Sequence, residues 1–179
     1  MVNGERGFSF LELMVAVAVT LVILIVALPT VQNFTQDYRI VSDARGIAAQ
    51  LALARMRAAS EFTRAEVNIN TSSNTYQVEV WSKTTEAFVA EGGAQGLSQG
   101  DVFGYGALTT AAGGQSPMAQ TTQIIFNSRG FPVTSTGVVT ANDVVYFTNS
   151  YGSYGAVSVS VAGEPQVWRY NGSAWVQQW

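Results

Sequence analysis

The hydrophobic pattern divides the chain into three textures. Residues 8–28 read FSFLELMVAVAVTLVILIVAL, with Ser9, Glu12 and Thr20 as the polar positions. At about 1.5 Å per residue this run spans roughly 31 Å as a helix, enough to cross a hydrocarbon core. From about Thr30 to Phe62 the pattern changes to steps of three and four. Ile40, Ala44, Ile47, Leu51, Ala54, Ala58 and Phe62 form one apolar stripe, while Asp43, Arg45, Arg55 and Arg57 lie off it. That period predicts an amphipathic helix whose long stripe packs on the rest of the protein. Val31, Phe34, Tyr38 and Val41 form a shorter second stripe, suited to neighbouring subunits. Beyond Phe62, Val, Thr, Tyr, Phe and Trp dominate, broken by Gly, Asn and Ser, and the texture reads as β structure.

The expected strands are 65–70, 75–82, 122–127, 143–148, 155–162, 165–170 and 174–177. Ser72, Ser73 and Asn74 suit one hairpin turn, and Asn171-Gly172 is the strongest hairpin signal in the chain. Residues 92–117 are rich in Gly, Ala, Gln and Ser, and predict a long, weakly structured loop. Gly104-Tyr105-Gly106 is too short for a dinucleotide fingerprint. Trp81 and Trp168 are expected in the β core, and Trp175 and Trp179 at an interface. Arg169 is expected to be exposed on a strand, as a candidate contact.

Composition narrows the chemistry. The 179 residues contain no cysteine and no histidine. Disulfides, thiol nucleophiles and imidazole acid–base catalysis are excluded on this chain, and a zinc centre or Ser-His-Asp triad with them. The carboxylates of the β region are scattered and form no motif. The chain therefore reads as a non-enzyme with no cofactor or metal. Residues 66–179 carry three cationic side chains against seven carboxylates. An acidic domain repels phosphate backbones.

Glu12 is the informative polar residue of the first run. A carboxylate inside a membrane-length segment is costly and usually paired or functional. In a helix bundle a cation of a neighbouring subunit can compensate such a carboxylate. The alternative is that Glu12, about one turn into the run, reaches the interface by snorkelling. Pro29 removes one backbone donor, which predicts a kink, a stretch that melts on assembly, or the end of one helix.

Met1–Gly7 followed by Phe8-Ser9-Phe10-Leu11-Glu12-Leu13 resembles the class III signal of type IV pilins and type II secretion pseudopilins. The resemblance implies cleavage by a prepilin peptidase between Gly7 and Phe8, N-methylation of Phe8, and an assembly role for Glu12 and Pro29. It implies a leader at 1–7, a transmembrane assembly helix at 8–28, its amphipathic continuation at 29–63 and a β-rich head at 64–179. The fold class is α+β and pilin-like: a long N-terminal helix packed on a C-terminal sheet. Leu53-Ala54-Arg55, Ala58-Ala59, Phe126-Asn127-Ser128-Arg129-Gly130 and Gly163 further resemble the GspH/FimT-type minor pilins.

These likenesses imply a minor pilin or pseudopilin in a type IV pilus or type II secretion pseudopilus, acting in assembly initiation or at the tip. The expected partners are other pilins, the prepilin peptidase and the inner membrane, with the head in the periplasm. Two alternatives stand beside it: a DNA-capturing pilus subunit, and an unprocessed single-span protein displaying a β domain. Some members of the group bind DNA through a glycine-arginine-x-arginine motif. Here the corresponding stretch is Gly163-Glu164-Pro165-Gln166, and that motif is absent.

Overall fold

The computed structural model describes residues 9–141 and 143–178, with the backbone alone at 26 and 28–34. The chain forms two compact units, Met1–Gln36 and Asp37–Trp179. Gly7, Phe8 and Trp179 lie outside the described residues, as do the side chains of Val31 and Phe34 from the shorter stripe.

Helix α1 spans Phe10–Ser60. It continues through Pro29, so a helix end at that residue does not occur. One missing donor is a local loss, and the flanking sequence sustains the helix. Among the described residues no helix is long and apolar enough to cross a membrane. The expected span at 8–28 includes Phe8, Val26 and Leu28, whose side chains fall outside them.

Within the second unit the helix ends in a left-handed cap. Thr63 N–H donates to Ala58 O at 3.1 Å, and Phe62 between them has φ 50°. This is a Schellman geometry with phenylalanine where glycine is usual. It corrects the last position of the predicted stripe. The helical period stops at Ser60, and the reversal turns Phe62 outward, 79% exposed. Ile40, Ala44, Ile47, Leu51, Ala54 and Ala58 are all buried.

The head contains two five-stranded antiparallel sheets. In the first, the order is β3 (Ala87–Gly96), β2 (Thr75–Ser82), β1 (Ala65–Asn70), β5 (Gln123–Phe126) and β6 (Pro132–Val133). In the second it is β10 (Trp175–Gln178), β9 (Pro165–Tyr170), β8 (Tyr154–Val159), β7 (Asp143–Asn149) and β4 (Asp101–Phe103). The helix stripe packs with Val67, Ile69 and Val78 of the first sheet and with Val145, Phe147 and Val157 of the second, in one continuous core. The alternation along each strand sends these residues to the same face.

The predicted hairpins form. Asn70 pairs with Thr75 in register. Asn70 Oδ1 accepts from Ser72 N and Ser73 N, both at 3.0 Å. At the second turn, Asn171 Oδ1 accepts from Ser173 N and Ala174 N, and Gly172 takes φ 95°. Asn171 therefore caps the turn with its side chain, and Gly172-Ser173 stands at its centre.

The loop expected at 92–117 is interrupted by strands and is irregular at 97–100 and 104–117. Its first residues complete β3, and β4 follows. The glycines of β3 are accommodated because this is an edge strand with little side-chain packing to lose. The segment after β4 covers the outer face of the second sheet. Ala112 is buried with Val144, Tyr146 and Ala156, and Met118, Trp168 and Trp175 pack on this smaller core.

Candidate functional site

The features that could act in assembly fall in three places: the start of α1, the polar seam between α1 and the second sheet, and the outer ends of the strands. At the start of α1, Ser9 precedes the first helical residue, and Glu12 lies in the first turn and is exposed. These are the N-cap and N3 positions of a capping box. A carboxylate here also meets the positive end of the helix dipole. The same placement leaves Glu12 close along the chain to the backbone nitrogen that cleavage at Gly7-Phe8 would free.

Along the seam, two turns of α1 hold the strand ends. Asp37 receives Arg169 Nη1 at 3.1 Å and Ser153 Oγ at 2.7 Å. Asn149 Oδ1 accepts from Tyr151 N and Ser153 N, both at 3.0 Å, which closes the β7–β8 turn against the helix. Arg169 thus ties β9 to the helix, and it lines a cleft of about 300 Å³ with Asp37, Ser153, Tyr170 and Asn171. Asp43 accepts Ser98 N and Ser98 Oγ at 2.8 Å each, which anchors the chain just before β4.

The tryptophans divide differently from expectation. Trp175 Nε1 donates to Thr110 O at 2.7 Å, and its ring lies 5.8 Å from Tyr146 and 5.4 Å from Tyr170. It is half-buried against the covering segment. Trp168 Nε1 donates to Ser158 Oγ at 2.8 Å, on the same side of the sheet. Trp81 stands outside both cores, which corrects its placement. It stacks under Arg64 at 4.3 Å and meets Phe88 edge-on at 5.1 Å. Val78 and Val80 of the same strand face the main core, so alternation puts Trp81 on the opposite face of the sheet.

Sequence reasoning missed a cleft of about 480 Å³ between the end of α1 and the β2–β3 hairpin. Glu61, Thr63, Val80, Lys83, Val89 and Glu91 line it. Arg57 pairs with Glu91 at its border. Its one sequence signal was Val80 and Val89 as apolar residues beside charges, which reads as ordinary strand alternation.

Three groups singled out from the sequence converge. A Cβ on Gly130 would stand 3.0 Å from Arg55 Nε, and one on Gly163 would stand 3.2 Å from the same atom and against the Gly130 carbonyl oxygen. The arginine of the helix end thus packs over two glycine turns from different sheets. A family model for the type II transport protein GspH matches residues 43–163, the stretch that contains all three.

The chain belongs to the GspH family. A model for the prokaryotic N-terminal methylation motif matches residues 2–28. No curated protein matches. Similar solved structures include two of the minor pseudopilin EpsH from the type II secretion system of Vibrio cholerae. One is 12% identical over 73% of this chain and 94% of that one, with a TM-score of 0.45. The other is 12% identical over 78% and 96%, with a TM-score of 0.40. Membership of the GspH family makes the chain a minor pilin or pseudopilin, a structural subunit that assembles with related subunits in a type II secretion or type IV pilus filament.

Proposed function

We propose that this GspH-family chain enters its filament through the N-terminal helix after cleavage between Gly7 and Phe8 and methylation of Phe8. The observation that carries the reading is the methylation motif over residues 2–28, with Glu12 in the first turn of α1. Residues 1–7 are the leader and 8–28 the single inner-membrane span. Residues 29–63 continue the helix, and 64–179 form the periplasmic head. Glu12 meets the Phe8 amine of a neighbouring subunit and sets axial register, since both charges would be costly alone in an apolar bundle. Pro29 marks where the helix gives way on packing into the filament.

The chain acts by assembly, in initiation or at the tip, and not by chemistry. Arg169 and Trp175 lie on the last hairpin, and with Trp179, which follows it in sequence, they contribute to a partner surface. A DNA-capturing role has little support. Residues 66–179 carry seven carboxylates against three cations, and one of those cations, Arg169, is engaged by Asp37.

The deciding experiment is intact mass and N-terminal peptide mapping of membrane-extracted protein, with and without co-expressed prepilin peptidase. A product starting at methylated Phe8, lost when Gly7 is replaced by a bulky residue, is expected. A product that keeps Met1 overturns the reading. Glu12→Gln is expected to be processed normally and to drop out of the filament.

A further inference from the structure

Asp101 opens β4 and is 3% exposed. Neither of its carboxylate oxygens accepts a well-formed hydrogen bond. Its neighbour across the strands is Asn149, whose Nδ2 is also buried without a partner. From the helix, Asp43, 8% exposed, lies within electrostatic and hydrogen-bonding reach of it. Both Asp43 oxygens are already engaged by Ser98, through N and Oγ.

An ionised carboxylate this deeply buried is strongly disfavoured, and the Asn149 side chain beside it offsets the cost only in part. Two remedies exist, a bound cation or a proton. A cation would need further oxygen ligands. The third side chain at the site, Asn149, commits Oδ1 to Tyr151 N and Ser153 N and leaves only its amide NH2 free, a donor that repels a cation. A proton needs no further ligand, because a protonated carboxyl becomes a donor and Asp43 is beside it to accept.

We propose that a protonated Asp101 carboxyl donates to Asp43, and that this bond latches β4 to α1 and releases it as the pH rises.

The surrounding charges agree with this reading. Burial pushes the Asp101 carboxyl up to about 7, and Asp43 adds to the rise. Arg39 on the helix and the Asn149 side chain act against it. From β2, Tyr76 faces Asp43, and burial and that carboxylate raise its phenol, so it stays neutral across the range of interest. The latched segment is small. Asp101 N donates to Ser98 O at 3.0 Å and Phe103 N to Asn74 Oδ1 at 3.0 Å, and β4 pairs on one side only, with β7. Such a short edge strand is held mainly by what lies beneath it.

The sign follows from linkage. The closed form binds a proton that the open form, with an ordinary aspartate near 3.8, does not. The latch is therefore at full strength below that value. It weakens as the pH rises, by up to about tenfold per unit, and levels off above about 7.

The test is hydrogen exchange on the full chain in detergent micelles between pH 5 and pH 8, with each rate divided by its intrinsic value. The corrected opening of amides at 97–103 is expected to rise several-fold per pH unit up to about pH 7 in the wild type. It is expected to be flat in Asp101→Asn, whose amide can donate to Asp43 at any pH. The Glu66→Gln variant, which removes another group that titrates there, is expected to keep the rise at 97–103. A flat wild-type profile, or a slope that survives Asp101→Asn, overturns the latch. If Asp101→Asn does not fold, infrared spectra of wild-type protein labelled at aspartate decide. A protonated carboxyl band present at pH 5 and lost through pH 7 supports the proposal, and no such band at pH 5 overturns it.

Discussion

Gly163 lies against the backbone of Gly130, so closely that a Cβ on Gly163 would meet the Gly130 carbonyl oxygen. Gly163 closes the β8–β9 turn, where its N–H donates to Ser160 O at 2.8 Å. Gly130 closes the turn after β5, with its N–H on Asn127 O at 2.8 Å. The two sheets therefore touch backbone to backbone, with Arg55 of the helix laid over the contact. Gly163 also takes φ 80°, so a side chain there is penalised by conformation as well as by space.

Gly163→Ala is expected to destabilise the head by about 2–4 kcal/mol, from overpacking against backbone that cannot give together with a left-handed alanine. Gly137→Ala is the control, since Gly137 has φ 86° but open space around the Cβ position. It bears the conformational cost alone, about 1–2 kcal/mol. Thermal unfolding of the two variants in the same detergent checks the difference.

Tyr146 fastens the covering segment to the second sheet. Its hydroxyl accepts from Ala112 N at 3.1 Å and donates to Gln115 Oε1 at 2.8 Å. Tyr146→Phe leaves a buried N–H without a partner and is expected to cost about 1–3 kcal/mol. Hydrogen exchange at 105–119 is expected to quicken while β1 and β2 stay protected. Equal loss of protection throughout would show that the segment is no separate cover.

Glu66 is buried on β1, opposite Glu79 across the strand pair. Gln123 Nε2 donates to its Oε2 at 2.6 Å. Burial pushes its carboxyl up to about 7, from an ordinary value of 4.5, and Glu79 adds to the rise. The folded state keeps a proton that the unfolded state loses. Stability contributed by this group is therefore full below about 4.5 and is lost as the pH rises to about 7. Glu66→Gln keeps an acceptor for Gln123 and removes the charge. It is expected to be more stable than the wild type at pH 8, with a shallower fall between pH 5 and pH 7. Chemical denaturation at several pH values reads both.

Much of the molecule was legible along the chain, because the features concerned are local. The steps of three and four from Ile40 to Ala58 name the buried helix face, since a helix repeats its environment every 3.6 residues. Alternating β-branched and aromatic residues place β1, β2, β5 and the last four strands to within a few residues. The N-terminal methylation motif over residues 2–28 was legible as well, because it is a short linear pattern. Non-local packing was not legible. Nothing at 92–117 marks it as edge strand and cover; the clue lay elsewhere, in the unbroken apolar run Val144-Val145-Tyr146-Phe147, which requires both faces of β7 to be buried. The Arg55 contact with two distant glycines and the nearness of Asp43 to Asp101 each join residues far apart in sequence. Such contacts depend on where separate elements meet, and only the packed sheets and helix bring them within reach.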